Sequence, residues 1–347
     1  MANKKIKVLV TGAGGAGTLG REIIKSFSMI PNEYDIIATN IDSTDLAIND
    51  NVKKIKILPA NHPKYIDTLL KICKKENIQA IAPGSEPETL IISKNSNLFS
   101  ESNIVSLTNK YDLVNLCTDK LLFSKFLTSK NITTPKTFSF NDISEKSSFN
   151  YPLIIKPRIG SGSRNVFLAQ NFEELSFFIK YLIKQKLDPI IQEYISGTDN
   201  EYTIGLLYCD GGKLNTSIAM RRNLHSGLST RSTIELENND SLIISSGISQ
   251  GLFDDFSLIR KKAEKIVAIL DSDGPINIQC RIKDDELFVF EVNPRFSGTT
   301  SARSLVGCNE PDILTQFRIN GQIPKKFQYK HGFVLKDFVE KFIPTID

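Results

Sequence analysis

Histidine and cysteine are scarce in this sequence, with three and five residues among 347. The cysteines, Cys73, Cys117, Cys209, Cys280 and Cys308, are odd in number, scattered, and form no Cys-x-x-Cys pair. That argues against a disulfide framework and a cysteine-built zinc site. So few histidines argue against a histidine-based metal centre. Long apolar runs are missing too. Nothing approaches the ~20 residues of a membrane-spanning helix. The first apolar stretch, around residues 6–10, is too short for a signal-peptide core, and no small-residue cleavage site follows. Charge of one sign is also lacking. Lysine and arginine number 43 against 39 aspartates and glutamates, and no basic tract marks a nucleic-acid or membrane surface. A local basic site for an anionic ligand stays open. No internal repeat or low-complexity tract is present. The expectation is a cytoplasmic protein that binds neither nucleic acid nor membrane.

What is present is a globular composition, 40% hydrophobic and 24% charged, at a length suited to two or three domains. Residues 6–10, 35–41 and 78–82 read as strands separated by helices at 18–29 and 63–76, with a further helix from 86. Strands alternating with helices imply a parallel sheet covered on both faces. In the helix at 63–76, Tyr65, Ile66, Leu69, Leu70 and Cys73 share a face. A helix over 119–129 follows, with Leu122, Phe123, Phe126 and Leu127 as its apolar stripe. The pattern then changes to a small α+β unit: strands at 152–156, 165–169 and 189–193, and a helix that Asn171 and Glu174 cap. The remainder is richer in antiparallel signals. Strands at 201–209 and 213–220 flank Asp210-Gly211-Gly212, a helix covers 258–270, and strands at 276–282 and 286–292 surround Lys283-Asp284-Asp285.

Three segments carry chemistry. Thr11-Gly12-Ala13-Gly14-Gly15-Ala16-Gly17 joins the first strand to a helix, and Asp42 ends the second strand. Alone, this suggests a dinucleotide site and an NAD(P)-dependent oxidoreductase. The competing and preferred reading is a tight turn, or a substrate-binding loop. The second segment, Lys156-Pro157-Arg158-Ile159-Gly160-Ser161-Gly162-Ser163, lies between two strands, so it is no Walker loop. Its glycines, hydroxyls and cations suit a flap over phosphate. In the third, Glu291 and Asn293 share a face by strand periodicity, and Gln279 joins them if the two strands pair. Such oxygens are hard donors for Mg²⁺. Arg295 stands beside them, placed for a phosphate or carboxylate.

Together these strings resemble the ATP-grasp superfamily: Lys156 with its loop, Gln192-Glu193-Tyr194-Ile195, Glu201-Tyr202-Thr203, Asn277-Ile278-Gln279 and Phe290-Glu291-Val292-Asn293-Pro294-Arg295. The likeness is greatest to a synthetase unit of the carbamoyl phosphate synthetase large subunit and to single-unit carboxylate–amine ligases. It spans nearly the whole chain. It implies an N-terminal Rossmann-like parallel α/β domain (1–117) followed by a two-part ATP-grasp fold, with a lid subdomain (118–192) and a C-terminal subdomain (193–347). It also implies roles. Lys120 and Lys156 meet ATP phosphate, and Gly160, Ser161, Gly162 and Ser163 close over it. Glu193, Tyr194 and Ile195 hold adenine. Glu201, or Asp199 in its place, binds ribose, and His225 lies near the nucleotide. Gln279, Glu291 and Asn293 hold Mg²⁺, with Mn²⁺ an admissible substitute. Arg295 steadies an acyl phosphate, with Lys156 as its catalytic companion.

The implied reaction activates a carboxylate with ATP and passes it to an amine. It needs no protein nucleophile, which fits the absence of a Ser-His-Asp or Cys-His signal. This chain has one such unit and shows no glutaminase-like nucleophile motif, so a single phosphorylation followed by ligation is the simpler expectation. Glu86, Glu88, Arg221, Arg222 and Arg231 are further candidates for substrate contact. The partners expected are small carboxylates and amines, and a homodimer is allowed. A non-catalytic nucleotide-binding relative is the other alternative.

Overall fold

The computed structural model describes residues 5–15, 17–46, 52–143, 149–160, 162–209, 211–225, 227–235, 241–322, 328–337 and 340. The first sheet is parallel. Its strands are β1 (Ile6–Val10), β2 (Tyr34–Asn40), β3 (Lys53–Lys56), β4 (Ala80–Ala82) and β5 (Val105–Ser106), in the order β3-β2-β1-β4-β5. β1 is apolar on both faces because both are covered. Val8 and Val10 pack with Ile23, Ile24 and Phe27 of helix Leu19–Ser28. Leu9 packs with Tyr65, Leu69 and Cys73 of helix Tyr65–Glu76. That helix starts two residues after Pro63, because residues 62–64 form a turn. β3 and β5 carry no strand signal of their own. The first is a lysine-rich edge and the second only two residues long.

A four-stranded antiparallel sheet follows, made of β6 (Thr137–Ser139), β7 (Leu153–Pro157), β8 (Phe167–Ala169) and β9 (Pro189–Glu193), ordered β6-β9-β7-β8. Helix Phe172–Lys184 lies on it, burying Leu175 and Leu182 against Leu153, Ile155 and Ile191. Asn171 caps the helix by accepting from the Glu174 N–H at 2.9 Å.

The third sheet contains β10 (Glu201–Cys209), β11 (Lys213–Arg222), β14 (Gly251–Phe253), β15 (Pro275–Lys283), β16 (Glu286–Asn293) and β17 (Gly332–Val334), ordered β16-β15-β10-β11-β14-β17 and antiparallel throughout. A two-stranded ribbon, β12 (Thr230–Glu235) with β13 (Ser241–Ser245), projects between β11 and β14. One face of this sheet is apolar. Tyr202, Ile204, Ile278, Cys280, Val289 and Val292 pack there against helices Lys120–Ser129 and Ser257–Val267. The stripe of helix Lys120–Ser129 differs from the sequence expectation. Asp119 caps it, so the buried positions are Leu121, Phe123, Ser124 and Leu127, while Leu122 is 49% exposed. The opposite face carries the polar residues Glu201, Thr203, Asn277, Gln279 and Arg281 at one end, and is apolar elsewhere, with Leu207 and Cys209 in one cluster and Ile218, Met220 and Phe253 in another.

The first sheet is not covered by its own helices alone. Leu207, Cys209, Phe296, Ile313 and Leu314, all from the C-terminal half, belong to the same cluster as Val8 and Phe27. Asn309 donates to Ser26 O at 2.8 Å and Tyr34 to Asp312 at 2.5 Å across this junction. Among the described residues no helix is long and apolar enough to cross a membrane.

Candidate active site

The first glycine loop is a packing device. Gly12 has φ +56°, and a Cβ there would lie 2.3 Å from Glu88 Oε2; one on Gly84 would lie 2.0 Å from Thr11 O. Both positions therefore need glycine. Glu88 is buried against the loop and accepts from Tyr65 at 2.9 Å and from Ser85 at 2.7 Å. Burial pushes its carboxyl above the usual range, and those hydrogen bonds oppose the rise. Asp42 accepts the Thr44 N–H at 2.7 Å and so starts a short helix. These contacts match the tight-turn reading. Ala16 lies outside the described residues.

The chemistry gathers elsewhere. Between the four- and six-stranded sheets lies a cleft of about 860 Å³ open to solvent. Lys120, Lys156, Gly160, Gly162 and Ser163 line one side of it, and Glu193, Tyr194, Ile195, Glu201, Gln279 and Glu291 the rest. Ile154, Val166, Ile244 and Phe290 add apolar wall. An adjoining cleft holds Asn293 and Arg295 and shares Lys120, Gly160 and Glu291 with the first. Ser161 lies outside the described residues. His225 is not in either wall; its Nε2 sits 2.9 Å from Asp199, and both side chains are exposed.

Lys156 is the penultimate residue of β7, and its side chain is buried. It donates to Gln192 Oε1 at 2.7 Å, and Gln192 in turn donates to Thr137 at 2.9 Å, a chain that crosses β7, β9 and β6. Burial, helped by Lys120, pulls its pKa down to about 8, while Glu291 opposes the fall. Lys120 opens its helix and donates to Gly160 O. Asp119 receives the Leu121 and Leu122 N–H groups and also binds Arg158 at 2.6 Å. Arg158, read from the sequence as a free cation for phosphate, is instead paired with Asp119 and Asp188. Arg231 on the ribbon donates to Ser163 O, tying ribbon to flap.

Glu201 has both carboxylate oxygens engaged, one by Arg222 at 2.5 Å and one by Arg281 at 2.9 Å. Arg281 continues to Ile195 O at 2.5 Å, and its guanidinium lies 5.0 Å from the Tyr194 ring centre. Sequence reading missed Arg281, although its place two residues after Gln279 puts it on the same strand face. Arg222, proposed for substrate, is buried in this network.

β15 and β16 pair as required. Gln279 stands opposite Glu291 and Asn277 opposite Asn293, with a bulge at Phe290. Asn293 donates to Glu291 Oε1 at 3.0 Å. Burial resists ionisation of Glu291, yet Lys120, Lys156, the Asn293 amide and Arg295 outweigh it and hold the carboxyl below the usual range. Among the described residues there is no cluster of three histidine, cysteine, aspartate or glutamate side chains for a metal. One carboxylate and two amides fit a hard cation that takes its remaining oxygens from phosphate and water. Arg295 donates to Phe296 O at 2.9 Å and to Glu86 at 2.6 Å.

Comparison with known proteins is consistent with this geometry. The profile of the ATP-grasp domain matches residues 117–299. That of the PylC-like N-terminal domain matches residues 8–107. The carbamoyl phosphate synthase large chain of Clostridium beijerinckii is 26% identical over 345 residues, covering 93% of this chain and 30% of the relative. The Clostridium botulinum protein of the same name gives 26% over 340 residues, 91% of this chain and 29% of the other. The chain thus spans about 30% of the length of these curated relatives. An L-amino acid ligase from Bacillus licheniformis superposes with a TM-score of 0.63 at 16% identity, covering 92% of this chain and 75% of that one. An ADP complex of N5-carboxyaminoimidazole synthetase from Staphylococcus aureus gives 0.63 at 13%, covering 91% and 79%. At such identities the structural likeness speaks for the fold alone.

Proposed function

We propose, from the premise that this chain belongs to the ATP-grasp family, that it is an ATP- and Mg²⁺-dependent ligase joining a carboxylate to an amine through an acyl phosphate. The observation that carries the reading is the convergence of Lys120, Lys156, the glycine flap and the Gln279–Glu291–Asn293 oxygens on one cleft. In this reading adenine lies against Glu193, Tyr194 and Ile195, with Ile154, Val166 and Ile244 as apolar walls. Glu201 lines that pocket and holds Arg281 beside Tyr194, and it stays the candidate for ribose, with Asp199 the alternative. Lys120 and Lys156 neutralise phosphate charge, and the residues around Gly160 and Gly162 exclude water that would hydrolyse the intermediate. Gln279, Glu291 and Asn293 would hold Mg²⁺, or Mn²⁺, whose contribution is to neutralise phosphate oxygens.

The substrate carboxylate attacks the γ-phosphorus, and ADP leaves. The amine then attacks the acyl carbon, phosphate leaves, and the amine proton is lost. Arg295 steadies the acyl phosphate, and positioning accounts for the rate. We assign residues 1–117 to the substrate side, 118–192 to the lid and 193–347 to the metal-bearing subdomain. The first sheet is confined to the first of these ranges. Five free thiols favour a cytoplasmic setting. The oxidoreductase alternative loses its basis, because Gly12 and Asp42 serve packing and capping. The test is coupled ADP release over a panel of carboxylates and amines, with mass spectrometry of the products. Absence of any acid-dependent ADP release by folded, ATP-binding protein would refute the ligase reading.

A further inference from the structure

The largest fully buried side chain among the described residues takes no part in the reaction proposed for the cleft. It is Arg303, in the helix Thr300–Leu305, and it is 1% exposed, as is its partner Glu310 at the start of the helix Glu310–Asn320. Its Nη1 donates to both Glu310 oxygens, at 3.2 and 3.1 Å. Its Nη2 donates to Asn277 Oδ1 at 2.5 Å and to Thr203 Oγ1 at 3.4 Å. The Thr203 hydroxyl donates to the same Asn277 oxygen at 2.8 Å. Gly205, opposite Asn277 in the β10–β15 register, makes the room: a Cβ there would lie 2.2 Å from Arg303 Nη1.

As a clamp between helix and sheet this arrangement is a poor one. Glycine weakens a strand interior. A buried ion pair is often no more stable than apolar side chains of the same volume. The Arg303 Nε, moreover, is buried without a partner among the described residues. What the arrangement supplies is direction. Asn277 is 2% exposed, and two donors meet its oxygen. The amide oxygen is thereby held on the Arg303 side and the amide nitrogen off it. That nitrogen has no hydrogen bond among the described residues. Asn277 stands opposite Asn293, and Gln279 opposite Glu291, so the oriented amide borders the oxygens assigned to Mg²⁺.

We propose that Arg303 and Glu310 are positioning residues, which fix the Asn277 amide so that it offers N–H groups and not an oxygen beside Asn293, where the transferred phosphoryl group is held. This rests on the ligase reading and extends its machinery to a pair that lines neither cleft. N–H groups there favour the charge on the phosphoryl oxygens; a reversed amide would repel it. Glu310 balances the guanidinium charge and holds its fork toward Asn277.

The test replaces the pair by apolar side chains of similar volume, Arg303→Met with Glu310→Leu, and compares Asn277→Ala and the combination of all three. Binding of Mg-ADP is measured with and without aluminium fluoride, which imitates a phosphoryl group in transfer. ADP release with the panel of acids and amines is followed in parallel. Wild type should bind ADP more tightly with fluoride. The apolar pair should melt at or near the wild-type temperature and bind ADP alone as wild type does. It should lose at least ~10-fold of the fluoride gain and of kcat. Asn277→Ala should lose about as much, and the combination little more, because one path is cut twice. A folded apolar pair with the full fluoride gain overturns the inference and leaves the ligase standing. Losses that multiply in the combination overturn it too, since the pair then acts apart from Asn277. Losses as expected, with no turnover of any acid, keep the positioning role and refute the ligase. Neither fluoride gain nor turnover in wild type overturns both; turnover without the gain leaves kcat of the same variants to decide. If the apolar pair does not fold, Arg303→Lys decides. Lysine keeps the charge beside Glu310 without a fork to reach Asn277 as well, so the gain should still fall, and an unchanged gain overturns the inference.

Discussion

Glu291→Gln removes one negative charge and almost no volume. In the structure that carboxylate faces three cations, Lys120, Lys156 and Arg295, and is the only acid of the oxygen set. The amide keeps an oxygen that can accept from Asn293, so the strand pairing survives. On the proposed assignment a hard divalent cation would lose the one carboxylate among Gln279, Glu291 and Asn293. Turnover at saturating Mg-ATP should fall by at least ~100-fold, equal to about 2.7 kcal/mol of barrier. Binding of ATP without metal should move the other way and tighten, because a negative charge has left the phosphate site. Stability has a sign as well. The folded pKa of Glu291 is depressed, so its stabilising contribution is present above the unfolded value and is lost as pH falls through the folded one. Melting temperatures of wild type and variant should therefore differ near neutrality and converge in acid. The assay is coupled ADP release, with melting curves and metal-free ATP titration in parallel. A folded variant with wild-type turnover refutes the assignment.

Burial and Lys120 pull the Lys156 pKa down to about 8, and phosphate beside it would raise it again, so Mg-ATP binding near pH 8 should be accompanied by proton uptake. Calorimetry in two buffers of different ionisation enthalpy reads this, and no uptake at pH 8 contradicts it. Amide exchange in the peptide carrying Gly160, Gly162 and Ser163 should slow with saturating Mg-ATP, as a flap that closes over phosphate requires; an unchanged rate argues against closure. Gly84→Ala places a Cβ 2.0 Å from a backbone oxygen and should cost at least ~2 kcal/mol of stability. A melting temperature equal to wild type would show that the first glycine loop is not the packing device described.

The parts of the fold with strong periodicity were legible in the sequence. β1, β9 and the β10–β11 hairpin strands sit where short apolar runs and flanking turns put them. Lys53–Lys56 escaped because an edge strand of lysines carries no apolar pattern, and the ribbon escaped because its residues are mostly polar. In the site, Gln279, Glu291 and Asn293 were legible because strict alternation holds from Glu291 to Asn293. It fails just before, at the Phe290 bulge, where Val289 and Glu291 are two apart yet face opposite sides. The pairing of Arg158 with Asp119 and Asp188 was not legible. A lone arginine in a basic loop reads as free until the chain brings two distant acids beside it. The arginines at Glu201 were hidden for the same reason.

The junction between the first sheet and the C-terminal half also bears on inheritance. Phe27 and Val8 share their packing with Phe296, Leu207 and Leu314, so neither half has a complete interior. Recombination that joined residues 1–117 to an unrelated catalytic half would expose apolar surface on both pieces. Wholesale exchange of the front half is therefore closed to this architecture unless the residues around Ile313 travel with it.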